Sequence, residues 1–235
     1  MGRRIGVSLR LLLIGTVLGT GLGVLLGAWS AVKQYRLSDR AITLLSFLLL
    51  AVPVFLTAVM LKYAAVNVND MLGFRVFEYT GEYTPASDTG FWGNLGDRLS
   101  HLVLPTLTLI LVEVARYSRY QRSTLLDVLG SDYLRTARAK GLPRSKAILK
   151  HGLRTSMIPV ATFFAYNFGL LLTGSIFVEK IFAWHGMGEW FIDSVHRQDV
   201  NAVAAVSLFA GVMVLVAGLL ADVILALLDP RVRVG

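Results

Sequence analysis

The sequence predicts an all-α integral membrane protein with about five transmembrane helices. Three observations carry that reading. Of the 235 residues, 55% are hydrophobic and only 16% charged, and the mean hydropathy is +0.63. A soluble domain of this size needs a more charged surface than that. The apolar residues are also gathered into runs long enough to cross a bilayer core of roughly 30 Å as helices, about 20 residues each. Finally, Lys and Arg crowd into alternate connections between those runs, and acids into the others. Cysteine is absent, which excludes disulfides, thiolate metal sites and a cysteine nucleophile. The formal net charge of +8 does not indicate nucleic acid, because the basic residues sit where a membrane protein places them.

The spans follow in order: 9–32, 41–65, 101–120, 157–178 and 201–228. The first is interrupted only by Arg10. It is too apolar and too glycine-rich for a cleaved leader, and no small-residue cleavage site precedes Lys33. The second ends near Lys62, whose long stem can snorkel to the interface. The third is the weakest apolar run. It stops at Arg116 and is read as a helix that leaves the membrane and continues into a basic stretch.

That basic stretch sets the orientation. Between Arg116 and Arg154 it carries Arg119, Arg122, Arg135, Arg138, Lys140, Arg144, Lys146 and Lys150 against Asp127 and Asp132 alone. The positive-inside rule assigns it to the cytoplasm, together with Lys33, Arg36, Arg40 and the tail with Arg231 and Arg233. The acidic connections, with Asp70, Glu78, Glu82, Asp88 and Asp97 in one and Glu179, Glu189, Asp193 and Asp199 in the other, fall outside. Arg3 and Arg4 disagree with this scheme: either the rule is overridden here or an upstream span is missing from this chain.

The cytoplasmic loop, about 121–156, is punctuated like a folded element. Ser131 and Asp132 offer an N-cap, Tyr133 to Lys140 reads as a short helix, and Gly141 is a natural C′ residue. Pro143 suits the first turn of a second helix running toward Arg154, and Pro159 falls just inside the next span.

The segment Asp132-Tyr-Leu-Arg-Thr-Ala-Arg-Ala-Lys-Gly-Leu142, followed by His151-Gly-Leu-Arg154 and Pro159, resembles the cytoplasmic "EAA" loop of binding-protein-dependent ABC importer permeases. More narrowly it is similar to the first-type permease of the dipeptide, oligopeptide and nickel group. His101-Leu-Val-Leu-Pro105, Ala183-Trp-His-Gly-Met-Gly188 and Leu227-Leu-Asp-Pro-Arg231 extend the resemblance along almost the whole chain. There are departures: Arg135 stands for the glutamate of the general loop pattern, Thr136 for its first alanine, and His185 for a proline. The stretch from Asp70 to Gly96 is longer and more aromatic than the family pattern.

The resemblance implies a type I ABC permease fold in a bacterial inner membrane, paired with a second permease of similar fold. It also implies an extracytoplasmic substrate-binding protein and two cytoplasmic ATP-binding subunits, on which ATP and Mg²⁺ reside. The short helix becomes a coupling helix docked on an ATPase subunit through Asp132, Tyr133, Arg135, Thr136, Ala137, Arg138, Ala139, Lys140, Gly141 and Leu142. Closing the ATPase dimer would move it and rock the membrane halves. The implied cargo is peptide, with nickel complexes or other small solutes as the alternative.

Other signals bear on mechanism. Gly15, Gly19, Gly23 and Gly27 form one ridge where another helix backbone can approach. Thr162, Tyr166, Gly169 and Thr173, with Asn167 beside them, form a polar stripe suited either to interhelical hydrogen bonds or to a wet translocation path. Asp222 is an intramembrane carboxylate near a span end, where an interfacial or paired role suffices. Glu113 and Arg116 have the spacing of a local ion pair. His185, Glu189, Asp193 and His196 share a helical face, for which solvation or a protein partner is favoured over a metal. No G-x-x-x-x-G-K-[ST] loop occurs, so no catalytic residue or bound cofactor is expected on this chain. An intramembrane serine hydrolase using Ser175 and His151 is the rival class, and it needs both groups on one side of the bilayer.

Overall fold

The computed structural model describes residues 2–85 and 90–228, with side chains for all of these except 165, 166, 168–174 and 228. The described backbone is helical apart from connections: α1 (Gly2–Val32), α2 (Leu37–Ala51), α3 (Val54–Leu72), α4 (Gly90–Leu129), α5 (Asp132–Ala139), α6 (Arg144–Ala147), a π-helical segment (Ile148–Leu153), α7 (Arg154–Ile181), α8 (Met187–His196) and α9 (Val200–Leu228).

Among the described residues, three helices are long and apolar enough to cross a membrane: Gly2–Val32, Gly90–Leu129 and Val200–Leu227. The 28-residue α7 covers the fourth expected span, with part of its side chains outside the described residues. The expected span 41–65 is two helices. Pro53, extended at φ −59° and ψ 145°, starts α3. A proline offers no N–H to the preceding turn, and it drives Val52 out of the helical region, so α2 stops at Ala51. The two helices reach span length and hydropathy only together, with a bend of 103° between them. As expected, α4 runs on from its apolar part into the basic stretch, as far as Leu129.

The chain divides into two compact units. Unit 1 comprises Met1–Leu18, Ala51–Val112 and Leu170–Gly211. Its core joins Val7, Leu11 and Leu12 to Ala58, Ala65, Leu104, Leu109, Val178, Phe182 and Trp184. Between lipid-embedded helices there is no water to expel, so close packing does this work. A Cβ on Gly15 would stand 3.0 Å from that of Leu109. Arg10, the interruption in the first apolar run, pairs with Glu82 at 3.2 Å. Lys62 Nζ donates to the Ile181 carbonyl at 2.6 Å, placing a cation on the last turn of α7. Asn69 ties down the chain after α3, accepting from the Val76 and Phe77 amides and donating to the Phe77 carbonyl.

Unit 2 comprises Gly19–Leu50, Glu113–Gly169 and Val212–Gly235. The glycine ridge continues here against α4. A Cβ on Gly23 would lie 2.7 Å from that of Tyr117, and one on Gly27 would lie 2.8 Å from that of Gln121. Tyr117, Val24 and Val160 form a core with Tyr120 and Phe163, whose rings stack 4.2 Å apart. Glu113 and Arg116 make the expected pair at 2.7 Å. Asp222 is exposed on α9.

Candidate coupling helix

The helix α5 occupies the predicted place, Asp132–Ala139, with Ser131 as its extended N-cap residue. Ser131 does not cap through its side chain: its Oγ donates backward to the Val128 carbonyl at 2.6 Å. The C-terminus closes as a Schellman turn. The Leu142 amide bonds the Ala137 carbonyl at 3.3 Å and the Gly141 amide bonds that of Arg138 at 3.0 Å. Gly141 has φ +90°, a conformation that a side chain disfavours. Leu142, folded back by this turn, packs on Leu134, Ala147 and Ile148.

One residue fastens α5 to what lies beneath it. Leu134 is 4% exposed, in a small core with Leu129, Leu142, Ala147 and Ile148. Gly152, in the π-helical segment, has Leu125, Ile148 and Leu134 about its Cα, each just under 4 Å from an added Cβ. Asp132, Tyr133, Arg135, Thr136, Arg138, Ala139, Lys140 and Gly141 are all exposed, and Ala137 is half-buried. Arg135 reaches Asp132 only loosely, at 3.6 Å. The result is a short helix with one apolar foot and an exposed surface that carries Arg135, Arg138 and Lys140.

A second cluster in unit 2 is centred on Asp39, an acid in the first turn of α2 flanked by Lys33, Arg36 and Arg40. Arg122 of α4 grips Asp39 with two bonds, at 2.7 and 3.0 Å. Ser30 Oγ and the Tyr35 amide donate to the same carboxylate. A planar guanidinium matches a carboxylate in this two-bond form. On the other side of α4, Gln121 donates to Ser156 at 2.8 Å, tying it to α7. Reading the loop as a run of positive charge missed that Arg122 is neutralised; an isolated acid among Lys33, Arg36 and Arg40 was the available clue.

In unit 1, Ala183-Trp-His-Gly-Met-Gly188 is explained by a buried carboxylate. Glu179 accepts from Ser8 Oγ at 2.5 Å and from the Gly188 and Glu189 amides at 2.8 and 3.2 Å, capping the start of α8 from a different helix. Gly186 and Gly188 have no room for a side chain; an added Cβ would be 2.5 Å and 2.6 Å from its nearest neighbours. Beside α8, His185 bonds the buried Glu189 at 2.6 Å and Lys180 of α7 bonds Asp193 at 2.8 Å. The Lys180 ammonium holds the Asp193 carboxyl below its ordinary value. Among the described residues no cluster is arranged to hold a metal.

Of the translocation stripe, Thr162 is exposed, whereas Asn167 is buried and donates to the Phe163 carbonyl at 2.8 Å. The side chains of Tyr166 and Thr173 lie outside the described residues, as do residues 229–231 of the closing motif. Ser175 belongs to unit 1 and His151 to unit 2.

Comparison with known proteins places these features. Residues 23–234 match the family described as binding-protein-dependent transport system inner membrane component. The oligopeptide transport system permease protein OppB of Mycobacterium tuberculosis is 59% identical over 235 residues, covering 100% of this chain and 72% of that protein. The dipeptide transport system permease protein DppB of Escherichia coli is 34% identical over 243 residues, covering 98% and 71%. Among solved structures, the MetNI methionine ABC transporter in inward-facing conformations matches with a TM-score of 0.72 at 13% identity, over 97% of this chain and 96% of that one, a likeness of fold. The chain therefore belongs to the binding-protein-dependent transport system inner membrane component family, as a membrane permease subunit of an ABC importer.

Proposed function

We propose that this permease imports di- or oligopeptides handed over by an extracytoplasmic binding protein, and that α5 is the lever coupling it to a cytoplasmic ATPase. Support for the cargo comes from the relatives, whose names specify oligopeptide and dipeptide transport. Support for the lever comes from its construction: eight residues, a Schellman stop, one buried leucine and an otherwise exposed surface. A rod of this kind passes on a displacement applied at its exposed face, because its foot has little freedom to absorb it.

In this reading Tyr133, Arg135, Thr136, Arg138 and Lys140 meet the ATPase subunit, while Leu134 and Leu142 hold the rod to its own chain. Each of two ATPase subunits engages one permease, this one or its second, similarly folded partner. ATP and Mg²⁺ are bound by those subunits, and this chain needs no cofactor of its own. Thr162, Tyr166, Asn167 and Thr173 are the proposed polar wall of the path.

The test replaces Arg138 with Glu or Gly141 with Val in the intact transporter. Both variants reach the membrane, and peptide uptake into proteoliposomes falls about tenfold or more, as expected when a charge at an interface is reversed or a presenting turn is spoiled. Normal uptake by both would overturn the assignment.

A further inference from the structure

We propose that the cleft between α2 and α4 is a site for the headgroup of an anionic phospholipid in the leaflet on the side of the basic loop. A cavity of about 390 Å³ opens there, entirely within unit 2, and Thr43, Phe47, Arg119, Arg122, Ser123 and Leu126 line most of it. Asp127 is the one carboxylate on its wall.

The two arginines have different situations. Arg122 is already spent on Asp39. Arg119 has no carboxylate partner among the described residues. Its guanidinium carbon sits 4.1 Å from the centre of the Phe47 ring, so the ring orients the group while leaving its N–H donors open at the edge. Arg119 stands where the apolar part of α4 gives way to its basic part. A cation at such a boundary, lacking a protein counter-charge, draws an anion from its surroundings.

The remaining wall selects the kind of anion. Thr43 and Ser123 supply hydroxyls beside Arg119, and Arg40 lies one turn before Thr43 on α2. Phe47 and Leu126 supply an apolar side, and the exposed Leu44 and Leu48 carry it along α2. Free phosphate would satisfy Arg119 and leave that apolar strip bare. A phospholipid fills both, with its phosphate at the guanidinium and an acyl chain along α2. An uncharged or zwitterionic headgroup gives Arg119 less, because it brings no net charge.

The intact transporter is purified, incubated in mixed micelles with phosphatidylglycerol or phosphatidylcholine, and retained lipid is read by native mass spectrometry. The unaltered protein and the control Arg144→Gln, altered at an exposed arginine outside the cleft, retain phosphatidylglycerol in preference. Arg119→Gln, which removes the charge, and Ser123→Phe, which fills the cleft and leaves the charge, each lower that retention about fivefold. The same spectra report subunit assembly, so if Arg119→Gln fails to assemble, Ser123→Phe decides. Equal retention of the two lipids, undiminished preference in Ser123→Phe, or displacement of the lipid by excess inorganic phosphate would each overturn the proposal.

Discussion

Two short helices, α8 in unit 1 and α5 in unit 2, have 10 and 8 residues and are mounted in opposite ways. α8 is bolted down by polar bonds: a buried glutamate from α7 caps it, Ser8 of α1 bonds its first amide, and two glycines admit the close approach. α5 touches its support through Leu134 and the folded-back Leu142, and nearly everything else on it faces outward. The difference separates a helix held into its own unit from several sides from one that leaves most of its surface exposed, as the proposed ATPase contact requires. Burying one side chain of α5 leaves its charges at the surface.

The comparison can be broken at graded cost. The largest effect is expected at Gly188. A valine there must displace the Ile176 backbone and the Glu179 carboxylate, at about 3 kcal/mol or more. Detergent-solubilised Gly188→Val should lose its thermal transition or shift it sharply downward. An unchanged transition would show that α8 is mounted more loosely than its contacts indicate.

Leu134→Ala comes next. It empties the small core under α5, costs about 2–3 kcal/mol locally, and should speed amide exchange over 132–139 while leaving exchange in α8 unchanged. Equal acceleration in both helices would deny α5 its separate footing. The smallest effect is expected at the Arg135–Asp132 pair, which is long and solvent-exposed. Arg135→Ala should leave the thermal transition where it is and weaken only the retention of ATPase subunits during purification. Lost stability without lost retention would place Arg135 among the structural residues.

Much of α5 was legible before any coordinates. An N-cap candidate, a short run and a glycine at the stop are local signals, because capping depends on residues within one turn of each other. The ion pair of Glu113 and Arg116 and the glycine ridge of α1 were legible for the same reason: helical spacing places such residues on one face. Less legible was the break at Pro53. The apolar run continues through it, and hydropathy summed over a window does not register a single missing donor. That Lys62 bonds the Ile181 carbonyl was not legible either, because the two residues are far apart in the chain. Asp39, Ser8 and Glu179 drew no attention as anchors, since their partners are 83, 171 and 179 positions away or act through backbone amides.

By itself, then, the sequence determined the solvent, the helical class, the family and the outline of α5. Those depend on composition, on periodicity and on contacts within a turn. Tertiary structure alone decided which charges are spent and which are not: Arg122 is consumed by Asp39, Glu179 is hidden beneath α8, and Arg119 stands over Phe47 with no carboxylate partner among the described residues. A charge's role is set by what lies within a few ångströms of it, and in a folded chain those neighbours come from remote parts of the sequence.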